Sequence, residues 1–195
     1  RHLDDRLHMS FDTEQVHVKT CVFETRRTKS RHFSIAEVQS CMDLTQPDSL
    51  DLEYTRTMMG FLLFHPMPLR IGMIGLGGGS LAKFCYRYLP RADITVLEIN
   101  PHVIALRDEF AVPRDDERFR VVRADGARYV RAHQDAFDVL LVDGYDYDGL
   151  PNALSSRRFY DDAFACLRSS GEVVANMHLG NPEFPFIVER IGQSF

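Results

Sequence analysis

The sequence contains no tryptophan, and its four cysteines form no Cys-x-x-Cys pair. They stand singly in apolar or mixed stretches, at Cys21, Cys41, Cys85 and Cys166. This spacing argues against a secreted fold stabilised by disulfides and against a thiolate metal site. We therefore expect reduced, buried thiols in a cytoplasmic protein.

Long apolar runs and excess positive charge are missing as well. No run approaches the ~20 residues that cross a bilayer, and no signal-peptide pattern opens the chain, so a membrane partner is not expected. The formal net charge of -5 argues against a nucleic-acid partner, which usually binds a basic face. The one basic cluster, residues 26–31, is expected to form a solvated hairpin turn.

What the chain does have is enough apolar content, 45% of 195 residues, for one sizeable domain with a small extension. Residues 7–44 contain short alternating runs, which predict an N-terminal antiparallel β domain over residues 1–48. After a break at residues 46–49, Asp48 or Ser49 is expected to cap a helix that runs to Phe64. Residues 49–195 are expected to form the main domain.

The main domain opens with a strand, a glycine turn and a helix, followed by a second strand that ends on an acid. The strands are predicted at residues 69–74 and 94–97, with the helix at 81–89 between them. Glu98 follows Gly77 by 21 residues, close to the ~20 expected of a carboxylate that binds a ribose. This pattern predicts a nucleoside-binding βαβ unit.

The glycine turn narrows the choice of nucleoside. Read as Gly-x-Gly-x-x-Gly for a dinucleotide, its last glycine would be Ser80, so that pattern is imperfect. The glycines at 75, 77 and 79 instead match the S-adenosylmethionine-binding pattern of class I methyltransferase-like folds. A dinucleotide and a turn that binds nothing remain alternatives.

Strands and helices continue to alternate after this unit. Strands are predicted at residues 119–123, 137–142 and 172–177, and helices at 100–110, 126–133, 155–168 and from 182 onwards. This alternation predicts an α/β fold, Rossmann-like, with a mostly parallel sheet covered by helices on both faces. The carboxyl ends of its strands should bring together the glycine turn, Glu98, Asp125, Asp143 and Asn176.

Two of these strand ends carry further candidate residues. Asp125, beside Gly126, could accept from an adenine amino group, cap the following helix, or do both. Asp143 opens a loop with two more acids and two tyrosines, which suits a small cationic substrate. Repulsion between carboxylates that lie close together should raise the pKa of one of them. That carboxylate could then accept a proton near neutral pH. A solvated loop and a metal site of hard oxygen ligands are the alternatives. The eight histidines are scattered, and His65, His102 and His178 are expected to be structural.

These residues resemble the spermidine/spermine synthase-like aminopropyltransferases. The similarity is carried by Val38-Gln39-Ser40, by the glycine turn after Ile74, by Val96-Leu97-Glu98-Ile99-Asn100, by Ala124-Asp125-Gly126 and by Val142-Asp143-x-x-Asp146. It implies transfer of an aminopropyl group from decarboxylated S-adenosylmethionine to a polyamine, by an enzyme that is often a homodimer. It also implies a final β-hairpin, before which we expect this chain to be trimmed.

The resemblance also implies residue roles. Gln39, Glu98, Asp125 and Gly126 would hold the nucleoside, and Asp143 would be the base. Contacts to the amine substrate would come from Asp146, with Tyr54 and Tyr145 beside it. Where the family usually has an Asp that binds the donor's amine, this chain has Gly78, which leaves ordinary S-adenosylmethionine open as the donor. A methyltransferase and a noncatalytic nucleoside-binding module are the alternative functions.

Overall fold

The computed structural model describes residues 21–34, 37–145 and 149–195, without the side chains of 33, 34 and 37–39. Its N-terminal part is a three-stranded antiparallel sheet in the order β1-β2-β3. The strands are β1 (Cys21–Glu24), β2 (Thr28–Ser34) and β3 (Glu37–Asp43). The register places Arg31 of β2 opposite Ser40 of β3. The first predicted strand begins before Cys21, at residues that the structure does not describe.

The main part is a five-stranded sheet in the order β6-β5-β4-β7-β8, with every neighbouring pair parallel. Its strands are β4 (Arg70–Ile74), β5 (Asp93–Glu98), β6 (Phe119–Arg123), β7 (Phe137–Val142) and β8 (Leu167–Ala175). The first strand of the βαβ unit, β4, lies at the centre. Because all five strands are parallel, their carboxyl ends share one edge of the sheet.

Helices connect these strands. They are α1 (Glu53–Met58), α2 (Ser80–Tyr88), α3 (Pro101–Ala105), α4 (Gly126–Ala132), α5 (Arg157–Cys166) and α6 (Phe184–Ser194), with 3₁₀ turns at Met59–Leu63 and Asn152–Leu154. Across the described ranges, every helix is too short or too polar to cross a membrane.

Alternation along the strands divides the core between two faces. In β7, Val139 and Leu141 pack in the cluster that includes α2, whereas Leu140 and Val142 pack in the cluster that includes α4, α5 and α6. Successive side chains of a strand point to opposite faces, so a continuously apolar strand requires helices on both. This arrangement confirms the predicted Rossmann-like fold, while the domain division at residues 48 and 49 stays a prediction.

Three local predictions differ from the structure. Helix α1 begins at Glu53 after Leu52, without a side-chain cap, so the predicted cap by Asp48 or Ser49 is wrong; the Ser49 hydroxyl instead donates to Asp51. Strand β8 begins at Leu167 rather than at residue 172. Of the thiols, Cys85 and Cys166 are buried as expected, but Cys21 is exposed.

At the amino ends of the strands, one carboxylate joins three of them. Asp138 Oδ2 accepts from the backbone N–H groups of Leu69 and Arg70, each at 2.8 Å. Its Oδ1 accepts from Arg168 Nη1 at 3.0 Å. Asp138 is buried, so these hydrogen bonds fix β7 against the start of β4 and against β8 with little competition from water.

We expect Asp138→Ala to lower the free energy of unfolding by roughly 2–4 kcal/mol, because two backbone N–H groups and Arg168 lose a buried, charged acceptor. Urea unfolding would measure the change. Asp138→Asn, which keeps one acceptor oxygen, should lower the free energy of unfolding by less than Asp138→Ala does. Asp162→Ala, which removes a partly exposed ion pair with Arg131, should cost under about 1 kcal/mol. Equal losses for Asp138→Ala and Asp162→Ala would contradict this account.

Candidate active site

A cavity of about 390 Å³ opens at the carboxyl ends of β4, β5 and β7, a size typical of small-molecule sites. It is bordered by the glycine turn on one side, by α1 on another and by the small antiparallel sheet on a third. Its lining includes Arg31, Ser40, Tyr54, Thr55, Gly75, Leu76, Gly77, Gly78, Glu98, Asp143, Tyr145, Asn176 and His178.

The glycine turn comes into direct contact with the end of β7. Gly75 has φ +97°, a conformation that side chains rarely adopt. A Cβ at residue 75 would lie 2.3 Å from the carbonyl oxygen of Asp143. Glycine at this position therefore allows the turn and the candidate base to lie side by side.

Glu98 lines the cavity at the end of β5, as predicted. Its side chain is buried; Oε2 accepts from Leu76 N–H at 2.9 Å and Oε1 from Asn100 N–H at 2.8 Å. A carboxylate has about four acceptor positions, so each oxygen keeps one for a ligand hydroxyl. Glu98 thus fixes the first turn residue and can still bind a diol.

Asp143 follows β7 and is held by side chains from two other elements. Asn176, just after β8, donates from Nδ2 to Oδ1 at 2.8 Å. The Tyr54 hydroxyl of α1 donates to Oδ2 at 3.2 Å. Burial raises the pKa of the Asp143 carboxyl to about 6, although these two hydrogen bonds and the charge of Arg31 act in the opposite direction. The carboxylate is therefore both oriented and basic enough to accept a proton near neutrality.

Two further side chains complete the wall around Asp143. Tyr145 lines the cavity and donates from its hydroxyl to the carbonyl oxygen of Asn176 at 3.1 Å. Arg31 also lines the cavity, and it is only 5% exposed. The prediction of a solvated turn over residues 26–31 is therefore wrong for Arg31, because β2 begins at Thr28 and carries Arg31 inward.

Not every predicted residue faces the cavity. Gly79, at φ +72°, begins α2 against Val112, and Gly126 packs against Ile74, whose Cγ2 lies 2.5 Å from where a Cβ would be. Asp125 Oδ1 accepts from Ala127 N–H and Arg128 N–H at 2.9 and 3.2 Å, so its capping role is confirmed. Asp146 and the side chain of Gln39 lie outside the described residues. The ligand contacts of all five residues stay predictions.

Several lining residues, Arg31, Ser40 and His178 among them, were not among the predicted site residues. For Arg31, the sequence contained one indication. In an antiparallel hairpin Arg31 pairs with Ser40, and Ser40 follows Gln39 of the family motif. His178 follows β8 by three residues, a distance from the strand end at which no spacing rule applies. Among the described residues, no group of three His, Cys, Asp or Glu side chains could hold a metal ion.

Comparison with known proteins places this site in a family. The spermine/spermidine synthase domain matches residues 51–185 of the chain. The chain belongs to the spermine/spermidine synthase family. The family resemblance of the sequence motifs is thereby confirmed, and the matched residues include Glu98 and Asp143.

Two curated relatives are both named polyamine aminopropyltransferase. The one from Chromobacterium violaceum is 40% identical over 171 residues, which cover 87% of this chain and 66% of the relative. The one from Neisseria meningitidis is 40% identical over 172 residues, which cover 87% of this chain and 65% of the relative. The chain therefore spans just under two thirds of the length of these relatives.

The fold is shared with a solved structure. A probable spermidine synthase from Corynebacterium glutamicum superposes with a TM-score of 0.77 at 20% identity, covering 90% of this chain and 67% of that one. At this identity the likeness concerns the fold, and it agrees with the parallel sheet and its N-terminal β extension.

The elevated pKa of Asp143 predicts a stability that depends on pH. The Asp143 carboxyl has a pKa of about 6 in the folded chain, whereas the ordinary pKa of an aspartate is 3.8. Stability should therefore fall as pH rises from about 4 to about 6 and stay lowered above that window. Asp143→Asn removes this cost, so at pH 8 it should be more stable than the wild type by roughly 2–3 kcal/mol.

Urea unfolding of both proteins at about pH 4 and pH 8 would measure this difference. The gain should shrink to under about 1 kcal/mol at the lower pH, where the folded wild-type chain carries the proton and the unfolded chain carries it about half of the time. A gain of equal size at both values would show that the substitution acts through packing rather than through ionisation.

Proposed function

We propose that this chain is a transferase that moves the three-carbon chain of an S-adenosyl sulfonium donor onto an amine of a small polyamine. The family resemblance implies decarboxylated S-adenosylmethionine as the donor, with ordinary S-adenosylmethionine as the alternative. The single observation that supports this function best is the placement of Asp143. It lies at the wall of one cavity with the glycine turn and Glu98, and it is oriented by Tyr54 and Asn176.

The adenosine part of the donor would occupy the β4 and β5 side of the cavity. Gly75 and Gly77 expose main chain there, and Glu98 has acceptor positions for the two ribose hydroxyls. This placement leaves the sulfonium and its chain between Glu98 and Asp143. Two carboxylates beside a sulfonium stabilise its positive charge in a cavity with restricted water.

The chemical step would require little beyond positioning and one proton transfer. The lone pair of the attacking amine forms a C–N bond to the carbon next to sulfur, the C–S bond breaks, and its electrons remain on sulfur in methylthioadenosine. The new ammonium then loses a proton to Asp143. A carboxylate with a pKa of about 6 is ionised at pH 7 and is a stronger base than an ordinary aspartate.

The proposal extends to the amine acceptor and to the assembly of the protein. Tyr54 and Tyr145 lie beside Asp143 and would contact the amine, together with Asp146. A homodimer and a cytoplasmic location follow from the family resemblance and from the cysteine usage. Light scattering of the purified full-length protein would test the dimer.

Product mass spectrometry tests the function directly. The protein is incubated with putrescine and either form of the donor, and the amine product is weighed. An added three-carbon chain with release of methylthioadenosine supports the proposal. An added methyl group with release of S-adenosylhomocysteine would assign a methyltransferase instead, and no product despite methylthioadenosine binding would assign a nucleoside-binding module.

If Asp143 is the base, Asp143→Asn should lower turnover by about 10²–10⁴-fold, the usual contribution of general base catalysis. Its affinity for methylthioadenosine should stay within about twofold, because that product carries no proton to remove. For the wild type, kcat/KM should rise with pH through about 6, where the carboxyl ionises. Asp162→Asn, on the outer surface of α5, serves as the control, and retained turnover in Asp143→Asn would remove the assignment.

If Glu98 binds the ribose, Glu98→Gln and Glu98→Ala should weaken methylthioadenosine binding by roughly 1.5–3 kcal/mol, the scale of hydrogen bonds to a charged group. Calorimetry measures the change, and Glu98→Gln keeps an oxygen for the buried N–H groups of the turn. Asp93→Ala, at the opposite end of β5, is the matched control. Unchanged affinity in both Glu98 variants would mean that the ribose lies elsewhere.

A further inference from the structure

A second cavity, of about 290 Å³, opens near the amino ends of the parallel strands, on the face of the sheet that α4 covers. It lies at the opposite end of β4 and β5 from the glycine turn and Glu98. Its volume is slightly below the range usual for drug-sized ligands, so it suits a smaller molecule. The side chains that matter around it are those of Arg70, Asp93, Thr95, Arg120, Tyr129 and Phe137.

The register of the sheet places two arginines on either side of β5. Arg70 of β4 lies opposite Asp93, the first residue of β5. Two residues further along β5, Thr95 lies opposite Arg120 of β6. Residues two apart on a strand point to the same face of a sheet. Arg70 and Arg120 therefore border the cavity from the two strands that flank β5.

The floor of the cavity combines a hydroxyl with an aromatic ring. Gly72 is the partner of Thr95 in β4, and a Cβ at Gly72 would lie 2.7 Å from the Phe137 ring carbons Cδ2 and Cε2. The buried Phe137 ring thus fills the space that a side chain at residue 72 would take. A polar and an apolar surface therefore lie next to each other at the base of one cavity.

Several hydrogen-bond donors at this cavity have no acceptor. Thr95 is 1% exposed, and within the described ranges its hydroxyl has no hydrogen-bond partner. The Arg70 guanidinium and the Tyr129 hydroxyl likewise form no hydrogen bond or ion pair with any residue that the structure describes. A buried hydroxyl without a partner has lost its hydration without compensation. An acceptor brought by a ligand would supply what these groups lack.

The carboxylate at the cavity leaves part of the arginine capacity unused. Arg120 Nη2 lies 3.1 Å from Asp93 Oδ1, yet Oδ1 accepts no hydrogen bond in the part of the chain that is described. The contact is thus an ion pair without a directed hydrogen bond, and N–H groups of Arg120 stay available. Two guanidinium groups and one carboxylate give a formal charge of +1 around the cavity, which favours an anion.

We infer that this cavity binds the phosphate group of a small organic molecule. The donors come from four elements: Arg70 from β4, Thr95 from β5, Arg120 from β6 and Tyr129 from α4. Phosphate presents three terminal oxygens to donors in different directions, whereas the two oxygens of a carboxylate lie in one plane and are satisfied by one guanidinium. The Phe137 ring would contact the organic part of the ligand. This inference does not depend on the proposed transferase function.

Calorimetry in ~0.1 M salt, which screens loose surface binding, tests the inference with phenyl phosphate, inorganic phosphate and benzoate. Phenyl phosphate should bind one site with a Kd of about 1 mM or less. Inorganic phosphate should bind about fivefold more weakly, because it has no apolar part to contact Phe137. Benzoate should bind more weakly than phenyl phosphate. No saturable binding of phenyl phosphate, or benzoate or inorganic phosphate binding as tightly, would overturn the inference.

Two variants locate the anion. Thr95→Val keeps the shape of the side chain and removes the hydroxyl, so it should fold and should weaken phenyl phosphate binding by about threefold or more. Arg120→Gln, on the exposed side of the cavity, should weaken it about tenfold. The matched control is Arg157→Gln, because Arg157 forms a similarly exposed ion pair with Asp161 at 3.2 Å.

Phenyl phosphate affinity in the control should stay within about twofold of the wild type. An equal loss in Arg157→Gln and Arg120→Gln would show that the anion binds surface arginines in general. Undiminished binding in Thr95→Val would place the anion outside the cavity. Either result would overturn the inference.

Methylthioadenosine separates this site from the candidate active site. Its affinity should stay within about twofold in Thr95→Val and Arg120→Gln, and in wild type saturated with phenyl phosphate, because the two cavities lie at opposite ends of β5. Competition between the two ligands would place the phosphate in the active-site cavity and overturn the inference. A protein that binds phenyl phosphate but not methylthioadenosine would keep this inference and contradict the proposed function.

Discussion

The close approach of two strand ends determines the candidate site. Gly75 N–H donates to Leu97 O, and Asp143 N–H donates to Ile74 O, each at 2.8 Å. Between them, the absence of a side chain at Gly75 lets the turn touch the Asp143 carbonyl. Any other residue at position 75 would push the turn away from the end of β7. It would thereby separate the proposed nucleoside-binding turn from Asp143, the proposed base. Glycine is therefore required at position 75 for two reasons: the turn contacts Asp143 there, and the turn itself needs a positive φ.

The same region shows how the fold supports a carboxylate in unfavourable surroundings. Burial raises the pKa of Asp143, yet Tyr54 and Asn176 supply hydrogen bonds that keep its ionised form accessible. These two residues come from α1 and from the end of β8, on opposite sides of the cavity. Their hydrogen bonds orient the Asp143 carboxylate in the absence of any ligand, which is the preorganisation that its proposed role as a base requires. The chain accepts a local loss of stability at the position where basicity is useful.

Sequence reasoning recovered the parallel sheet, its helices and the residues at the strand ends, because these follow from hydrophobic period and from parallel connections. It placed Glu98, Asp143 and Tyr54 in one cavity correctly. It failed where tertiary contacts override local preference: α1 begins without a side-chain cap, and Arg31 turns inward although a run of charges normally marks a solvated turn. Only the register of the hairpin, Arg31 opposite Ser40, brings that charge to the glycine turn, and register depends on the fold as a whole.

The small antiparallel sheet supplies one wall of the cavity, through Arg31 and Ser40. The candidate ribose ligand and base, Glu98 and Asp143, lie within the family match at residues 51–185, whereas Arg31 and Ser40 lie before it. The residues proposed for ribose binding and proton transfer therefore lie at the strand ends of the parallel sheet. The buried Arg31 comes instead from the hairpin of β2 and β3, where Arg31 and Ser40 pack against Gly77 and Gly78 of the turn. The polarity of the cavity therefore depends on a hairpin that lies before the matched domain as well as on the strand ends of the parallel sheet.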